Sequence, residues 1–226
     1  MTTAVRLDLH VHSRFSADSP LSLDALVRRI SDTGLRGFAL TDHNSVAGHA
    51  ELGELRRAYP LYLFLPGVEV STIEGHLLAY GVSEAPPAYR PIRETVDWVR
   101  AHGGEAVVAH PFRYRHGVGR RVAESIPVSG IEARNGHNSE IANAKAELLA
   151  ARRELAATGG SDVHALSDLG RAYTCFPEGA ATIDDLLEAI RRQRTTAEGL
   201  SMGWGGRTRL AFVNSGKFLR RGLRSV

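Results

Sequence analysis

The sequence predicts an α/β fold with a mostly parallel sheet, closed or nearly closed into a barrel. Three observations predict it. Short apolar runs alternate with helical stripes of about 10–15 residues, the signature of successive βαβ units. Polar side chains able to ligate a metal recur at the downstream ends of those runs, the face on which α/β barrels carry their sites. The length of 226 residues, with 43% hydrophobic and 23% charged residues, suits one well-buried domain.

The chain opens with a strand over Val5 to Val11, which carries His10 and then delivers His12. Strand side chains alternate, so the two imidazoles share a face, and that face gives up apolar packing to hold them. Ser22 reads as an N-cap for a helix with the stripe Leu23, Leu26, Val27 and Ile30, ending at Gly34 as a C′ residue. Gly37 to Leu40 is a second strand running into Thr41-Asp42-His43-Asn44. A second helix spans about His49 to Ala58 and is stopped by Pro60. Leu61 to Leu65 is a third strand, followed after Pro66-Gly67 by Val68-Glu69-Val70-Ser71, and Gly75 to Tyr80 has strand character.

After the Pro86-Pro87 loop, a helix covers Ile92 to His102 and ends at Gly103-Gly104. Glu105 to Ala109 is a strand delivering His110-Pro111. Residues 113–127 read as a basic loop, with Gly117 and Gly119 for flexibility. Ser129 to Ala133 is a strand delivering Arg134-Asn135. A long Ala-rich helix is expected from about Ser139 to Ala157, then Thr158 to Val163 brings Asp162 and His164, and Ile183 to Arg194 is the last helix. The expected organisation is one domain over residues 1–198 and a basic segment over 199–226.

The net charge of +3 hides an asymmetry. After Glu198 there are six bases (Arg207, Arg209, Lys217, Arg220, Arg221 and Arg224) and no acid, which leaves 22 bases against 25 acids before it, a balance of −3. The high isoelectric point therefore reflects the tail, and is a poor argument for a nucleic-acid-binding surface. In that tail Leu210, Phe212, Val213, Phe218, Leu219 and Leu223 interleave with the bases, which favours a docked segment that snorkels its arginines; the alternative is an electrostatic footprint for nucleic acid or nucleotide. The lone Cys175 and the absence of an apolar signal core at the start fit a reducing cytoplasm. No apolar run approaches the roughly 20 residues that span a bilayer, so no membrane partner is expected.

The candidate ligands are His10, His12, Asp18, His43, Glu69, His76, His110, Asp162 and His164: nitrogen and oxygen donors without cysteine. Imidazole with carboxylate suits Zn, Mn or Fe and argues against a thiolate structural zinc. Nine donors exceed one four-coordinate ion and suit two or three ions, with Glu69 chosen as a bridge. His49, His102, His116 and His137 lie off the strand ends and are expected to be non-ligating. Asp8 and Asp42 either orient imidazoles or bridge backbone groups locally. Arg14, Arg113, Arg134 and Arg171 stand near these positions, and one or two are expected to point inward and grip a substrate phosphate.

The ordered segments Asp8-Leu9-His10-Val11-His12-Ser13, Thr41-Asp42-His43-Asn44, Gly67-Val68-Glu69-Val70-Ser71, Gly75-His76, Ala109-His110-Pro111-Phe112 and Gly160-Ser161-Asp162-Val163-His164 resemble those of the PHP (polymerase and histidinol phosphatase) superfamily over residues 5–175. The resemblance implies a distorted (β/α)7 barrel with two or three divalent ions and metal-dependent phosphoester hydrolysis. It assigns His10, His12, Glu69 and Asp162 to one ion, Glu69, His76 and His110 to a second, and Asp18, His43 and His164 to a third. Many members carry histidine where this chain has Asp18. A metal-bridging hydroxide held by Glu69 and Asp162 would attack phosphorus in line. The expected substrate is a small phosphorylated metabolite, a nucleotide or a nucleic-acid end. Two other readings are an amidohydrolase-like hydrolase of C–N or C–O bonds and a non-catalytic, metal-stabilised module.

Overall fold

The computed structural model describes residues 4–202. Nine strands form one sheet: β1 (Val5–Val11), β2 (Gly37–Leu40), β3 (Leu63–Ser71), β4 (His76–Tyr80), β5 (Glu105–Val108), β6 (Gly130–Asn135), β7 (Ala156–Gly160), β8 (Ala172–Phe176) and β9 (Thr196–Gly199). Six helices accompany them: α1 (Leu23–Ile30), α2 (His49–Ala58), α3 (Ile92–Ala101), α4 (Gly119–Ser125), α5 (Glu140–Arg152) and α6 (Ile183–Arg191). The strand order is β7-β6-β5-β4-β3-β2-β1-β8-β9. The two ends of this order curl toward each other, so the sheet is a nearly closed barrel within a single α/β domain.

The seam shows how closure is achieved. Gly159 N–H donates to Thr174 Oγ1 at 2.8 Å, and that hydroxyl donates to Gly159 O at 3.0 Å. One step on, Asp162 N–H donates to His10 O at 2.8 Å, and Val11 bridges Val163. Gly160 is required here, because a Cβ on it would lie 2.3 Å from His10 Cβ. Glycine alone lets β7 come this close to β1.

Helix formation follows the local signals. Ser22 caps α1 by accepting from Ala25 N–H at 3.2 Å, and the buried stripe is Leu23, Leu26, Val27 and Ile30. The helix ends at Ile30, before Gly34; that glycine instead takes up a left-handed turn (φ +71°) leading into β2. The Thr182 hydroxyl and the Asp185 carboxylate cap α6 reciprocally. Three apolar clusters pack these helices on the sheet, centred on Val96, Val108 and Ile131, on Leu65, Tyr80 and Leu186, and on Phe38, Phe64 and Leu26.

Several expectations need correcting. Among the described residues four strand pairings are parallel and four antiparallel, so the sheet is mixed and not mostly parallel. The antiparallel pairs come from the β3–β4 hairpin, the β4–β5 pairing, and β8 and β9, the last two being short segments without a strong alternating pattern. The third strand does not break at Pro66. Up to that proline β3 pairs with β2, and beyond it with β4. The helix expected to run to Ala157 stops at Arg152; Glu154 turns left-handed (φ +51°), Leu155 N–H returns to Ala150 O, and Ala156 starts β7. The stretch 113–127 is not an open loop, since it contains α4. Gly117 there serves close packing, with Pro111 O and Arg113 O within 3 Å of where a Cβ would stand. The basic segment is seen only at its start, where Leu200 N–H bonds Arg171 O and Met202 N–H bonds Asn138 O; residues 203–226 lie outside the described residues. No helix among the described residues is long and apolar enough to cross a membrane.

Candidate metal centre

Parallel strands deliver their downstream ends to one face of the barrel. That face receives His10 and His12 from β1, His43 after β2, Glu69 from β3, His110 after β5, and Asp162 and His164 after β7. His76 reaches the same face by another route. It is the first residue of β4, and because β4 runs antiparallel to β3, its upstream end lies beside Glu69, with Ser71 paired to His76. Asp18 comes from the loop after β1. All nine predicted residues are brought together, and overlapping sets of three place their donor atoms within 4.8 Å of one another.

Glu69, 1% exposed, sits at the centre. Its Oε2 faces His10 Nε2 at 3.0 Å, His12 Nε2 at 3.2 Å and His43 Nε2 at 3.4 Å. Its Oε1 faces His76 Nδ1 at 2.8 Å and His110 Nε2 at 3.0 Å. Asp162 Oδ1 lies 3.3 Å from His12 Nε2 and 3.5 Å from His164 Nδ1. Asp18 Oδ2 lies 2.7 Å from His164 Nε2 and 3.4 Å from His43 Nε2. His110 and Asp162 both adopt left-handed backbone, φ +26° and +59°. Such strain in non-glycine residues is held only where the surroundings fix it, and it concentrates at functional sites.

The donor set fits divalent ions. Nε2 of His10 and Nε2 of His12 are buried and have no hydrogen-bond partner among the described residues, although each points at carboxylate oxygens about one coordination edge away. Ligands about 2.0–2.2 Å from a shared ion stand roughly 3.0–3.4 Å apart, which is the spacing found around Glu69. The electrostatics of the side chains themselves point the same way. Burial opposes ionisation of Glu69 and Asp162, yet the surrounding imidazoles and Arg113 hold both carboxyls well below the usual range. Burial also disfavours charge on His12, but the adjacent carboxylates of Asp162 and Glu69 push its pKa up to about 10. His110 moves down to about 4, through burial and the nearby Arg113. Carboxylates held ionised in so buried a site suit the binding of a cation.

The residues around the cluster divide differently from the expectation. His10 Nδ1 is held by Glu132 Oε1 at 2.8 Å, and His110 N–H donates to Glu132 Oε2 at 2.7 Å. Sequence reading missed Glu132. The available signal was a lone acid, 1% exposed, inside the otherwise apolar run Gly130 to Ala133. Asp8 and Asp42 bind backbone rather than imidazole. Asp8 accepts from the N–H groups of His10, Ser161 and Gly170, and Asp42 takes both the N–H and the hydroxyl of Ser13.

Of the four arginines, Arg113 reaches the cluster: its Nη2 donates to Asp162 Oδ2 at 2.5 Å and to Asn135 Oδ1 at 2.7 Å. Arg14 does not, because it pairs with Glu51 on the outside. Arg134 is also turned away, drawn to Glu140 and Glu147 of α5. Arg171 donates to Ser201 O at 3.2 Å. Of the set-aside histidines, His49 bonds Gly67 O and His102 stacks on Trp98. His137 pairs with Asp168 and flanks His164, while His116 stacks on His76 with ring centroids 4.8 Å apart.

Comparison with known proteins gives a consistent picture. Residues 8–110 match the PHP domain family, and residues 140–195 match the PHP-associated family. A 3′,5′-nucleoside bisphosphate phosphatase of Chromobacterium violaceum is 25% identical over 73% of this chain and 89% of its own length. A 5′-3′ exoribonuclease of Salmonella typhimurium is 35% identical over 38% of this chain and 31% of its own. Among solved structures, PsfC from Pseudomonas syringae superposes with a TM-score of 0.69 at 18% identity, over 96% of this chain and 99% of its own. An amidohydrolase from Chromobacterium violaceum, solved with sulfate and no metal, superposes with a TM-score of 0.64 at 24% identity, over 81% of this chain and 96% of its own. These likenesses in structure establish the fold.

Proposed function

Since this chain belongs to the PHP family, we propose that it hydrolyses phosphoester bonds with two or three divalent ions, Mn, Zn or Fe, bound at the nine-residue cluster. The substrate class is a small phosphorylated metabolite, a nucleotide or a nucleic-acid end. The observation that carries this reading is the placement of Glu69, whose two carboxylate oxygens face separate groups of imidazoles. A carboxylate so placed would serve two ions, one on each oxygen.

His10, His12, Glu69 and Asp162 would hold one ion, Glu69, His76 and His110 a second, and Asp18, His43 and His164 a third. Ions held there would supply Lewis acidity and a water nucleophilic at neutral pH. The chain itself fixes the geometry. Glu132 holds the His10 ring by its Nδ1 side, so that Nε2 is presented to the cluster. Arg113 is anchored through Nε and Nη2 to Asn138, Asn135 and Asp162. That anchoring leaves Nη1 to donate to a phosphoryl oxygen, a charge-assisted bond suited to a planar guanidinium.

The reading is tested by metal analysis of the purified protein together with a screen of phosphomonoesters, phosphodiesters and short oligonucleotides. Bound divalent metal and hydrolysis of at least one class are expected. A protein that holds metal yet is inactive on all of them would point to the non-catalytic module, and one without metal would overturn the reading. Hydrolysis confined to amides or carboxylic esters would point to the amidohydrolase-like alternative.

A further inference from the structure

Beside the cluster, with His76 in its wall, lies a cavity of about 210 Å³ bounded by Ser71 to Gly75, Tyr89 and His116. Its rim carries apolar surface that the fold leaves in water: Ile73 is 67% exposed and Tyr89 60%. His116 is exposed as well, with one face of its ring covered by His76. These side chains are placed by backbone ties between three segments that are distant in sequence. Tyr89 N–H donates to Ser71 O at 2.6 Å, Ile73 N–H to Arg90 O at 3.1 Å, and His76 N–H to His116 O at 3.0 Å.

Both aromatic residues are held in left-handed backbone, Tyr89 at φ +57° and His116 at φ +65°. A bulky side chain such as that of Tyr89 is uncommon in that region, so the surroundings help to hold it there. The acid in the wall, Glu74, is engaged elsewhere: its Oε2 accepts from Ile92 N–H at 2.8 Å, at the start of α3. What lines the cavity next to the cluster is therefore two aromatic rings, an exposed isoleucine and small hydroxyls. That combination suits a flat heterocycle better than a second phosphate, because no arginine or lysine among the described residues lines it.

We propose that this cavity takes the heterocyclic base of a nucleotide, stacked against Tyr89 and His116, while the phosphoryl end is presented to the cluster beyond His76. The assignment rests on the phosphoesterase reading for the ester end of the ligand, whereas recognition of the ring is measurable without turnover. Stacking on an aromatic side chain tolerates any base, since every base has a π-face.

The experiment compares AMP with ribose 5-phosphate, which lacks the base, on the full chain with its metals as purified. Dissociation constants come from calorimetry, and kcat/KM from phosphate release. Wild type should favour AMP by about tenfold or more, the scale of one base–aromatic stack. Tyr89→Ala should bring that ratio close to one, and Tyr89→Phe should keep it. Equal affinities in wild type, or a ratio that survives Tyr89→Ala, would overturn the assignment. Running the dinucleotide pApA beside AMP distinguishes a strand end from a free nucleotide as the source of the ring, and a preference for either over ribose 5-phosphate supports the subsite. If neither phosphate is released, the phosphoesterase reading is decided by the wider substrate screen, and the binding ratio still decides the base subsite.

Discussion

Glu132 Oε1 lies 2.8 Å from His10 Nδ1, and both residues are buried. The same carboxylate accepts from His110 N–H, so one acid from β6 orients donors from two other strands. Glu132→Gln should keep the fold and lower metal affinity or turnover by about 10–100-fold, the usual cost of losing a carboxylate behind a ligating histidine. Metal content after dialysis, set beside the rate, checks it; wild-type retention would show that Glu132 is a packing group.

Alanine at His12 removes a donor that faces both Glu69 and Asp162. His12→Ala should abolish tight metal retention and phosphoester hydrolysis together. Full activity in that variant would sink the cluster assignment.

Metal loading should release protons. In the ion-free protein His12 has its pKa pushed up to about 10 by Asp162 and Glu69, against the cost of burial, so it is charged at pH 7.5. A ligating imidazole must be neutral, and metal affinity should therefore rise with pH. The sign for the ion-free fold is the reverse: stability from His12 is fully present below about pH 6.5 and is lost as the pH rises through about 10. Calorimetric metal titrations in buffers of different ionisation enthalpy would count the protons released, and a count of zero would contradict this electrostatic picture.

Asp8 accepts from three backbone N–H groups, two on Oδ1 and one on Oδ2. Asp8→Asn turns one acceptor into a donor that faces a backbone N–H. A loss of about 1–3 kcal/mol is expected, the cost of a buried unpaired polar group, read as a lower denaturation midpoint with an unchanged m-value.

Gly160→Ala would place a methyl 2.3 Å from His10 Cβ at the seam between β7 and β1. Overpacking of this kind costs about 1–3 kcal/mol. Because the atom displaced belongs to His10, metal retention should fall along with the melting temperature. Stability loss with full retention would show that the seam can shift without moving the imidazole.

The α/β barrel and the meeting of most of the nine candidate ligands on one face were legible from one chain because both follow local rules. Strand periodicity put His10 and His12 on one face, and parallel strands turn downstream ends into neighbours, which covers His43, Glu69, His110, Asp162 and His164. Alternation is weak in short strands such as Ala172–Phe176 and Thr196–Gly199, so the sheet came out larger and more antiparallel than expected. Composition does not set direction either: Arg14 and Arg134 were drawn outward by acids on neighbouring helices that sequence proximity to the motifs does not reveal.

What the sequence by itself determined is the chemistry of the donors and most of their strand positions, because side-chain type and period are local properties. Only the tertiary structure decided how those donors meet. The reversal of β4 brought His76, at a strand's beginning, beside Glu69. The closeness of β7 to β1, allowed by Gly160, set Asp162 against His10 and His12. The pairing of β6 between β5 and β7 put Glu132 behind His10. Each depends on strand direction and separation between segments far apart in the chain, and such distances are fixed by packing rather than by any local pattern.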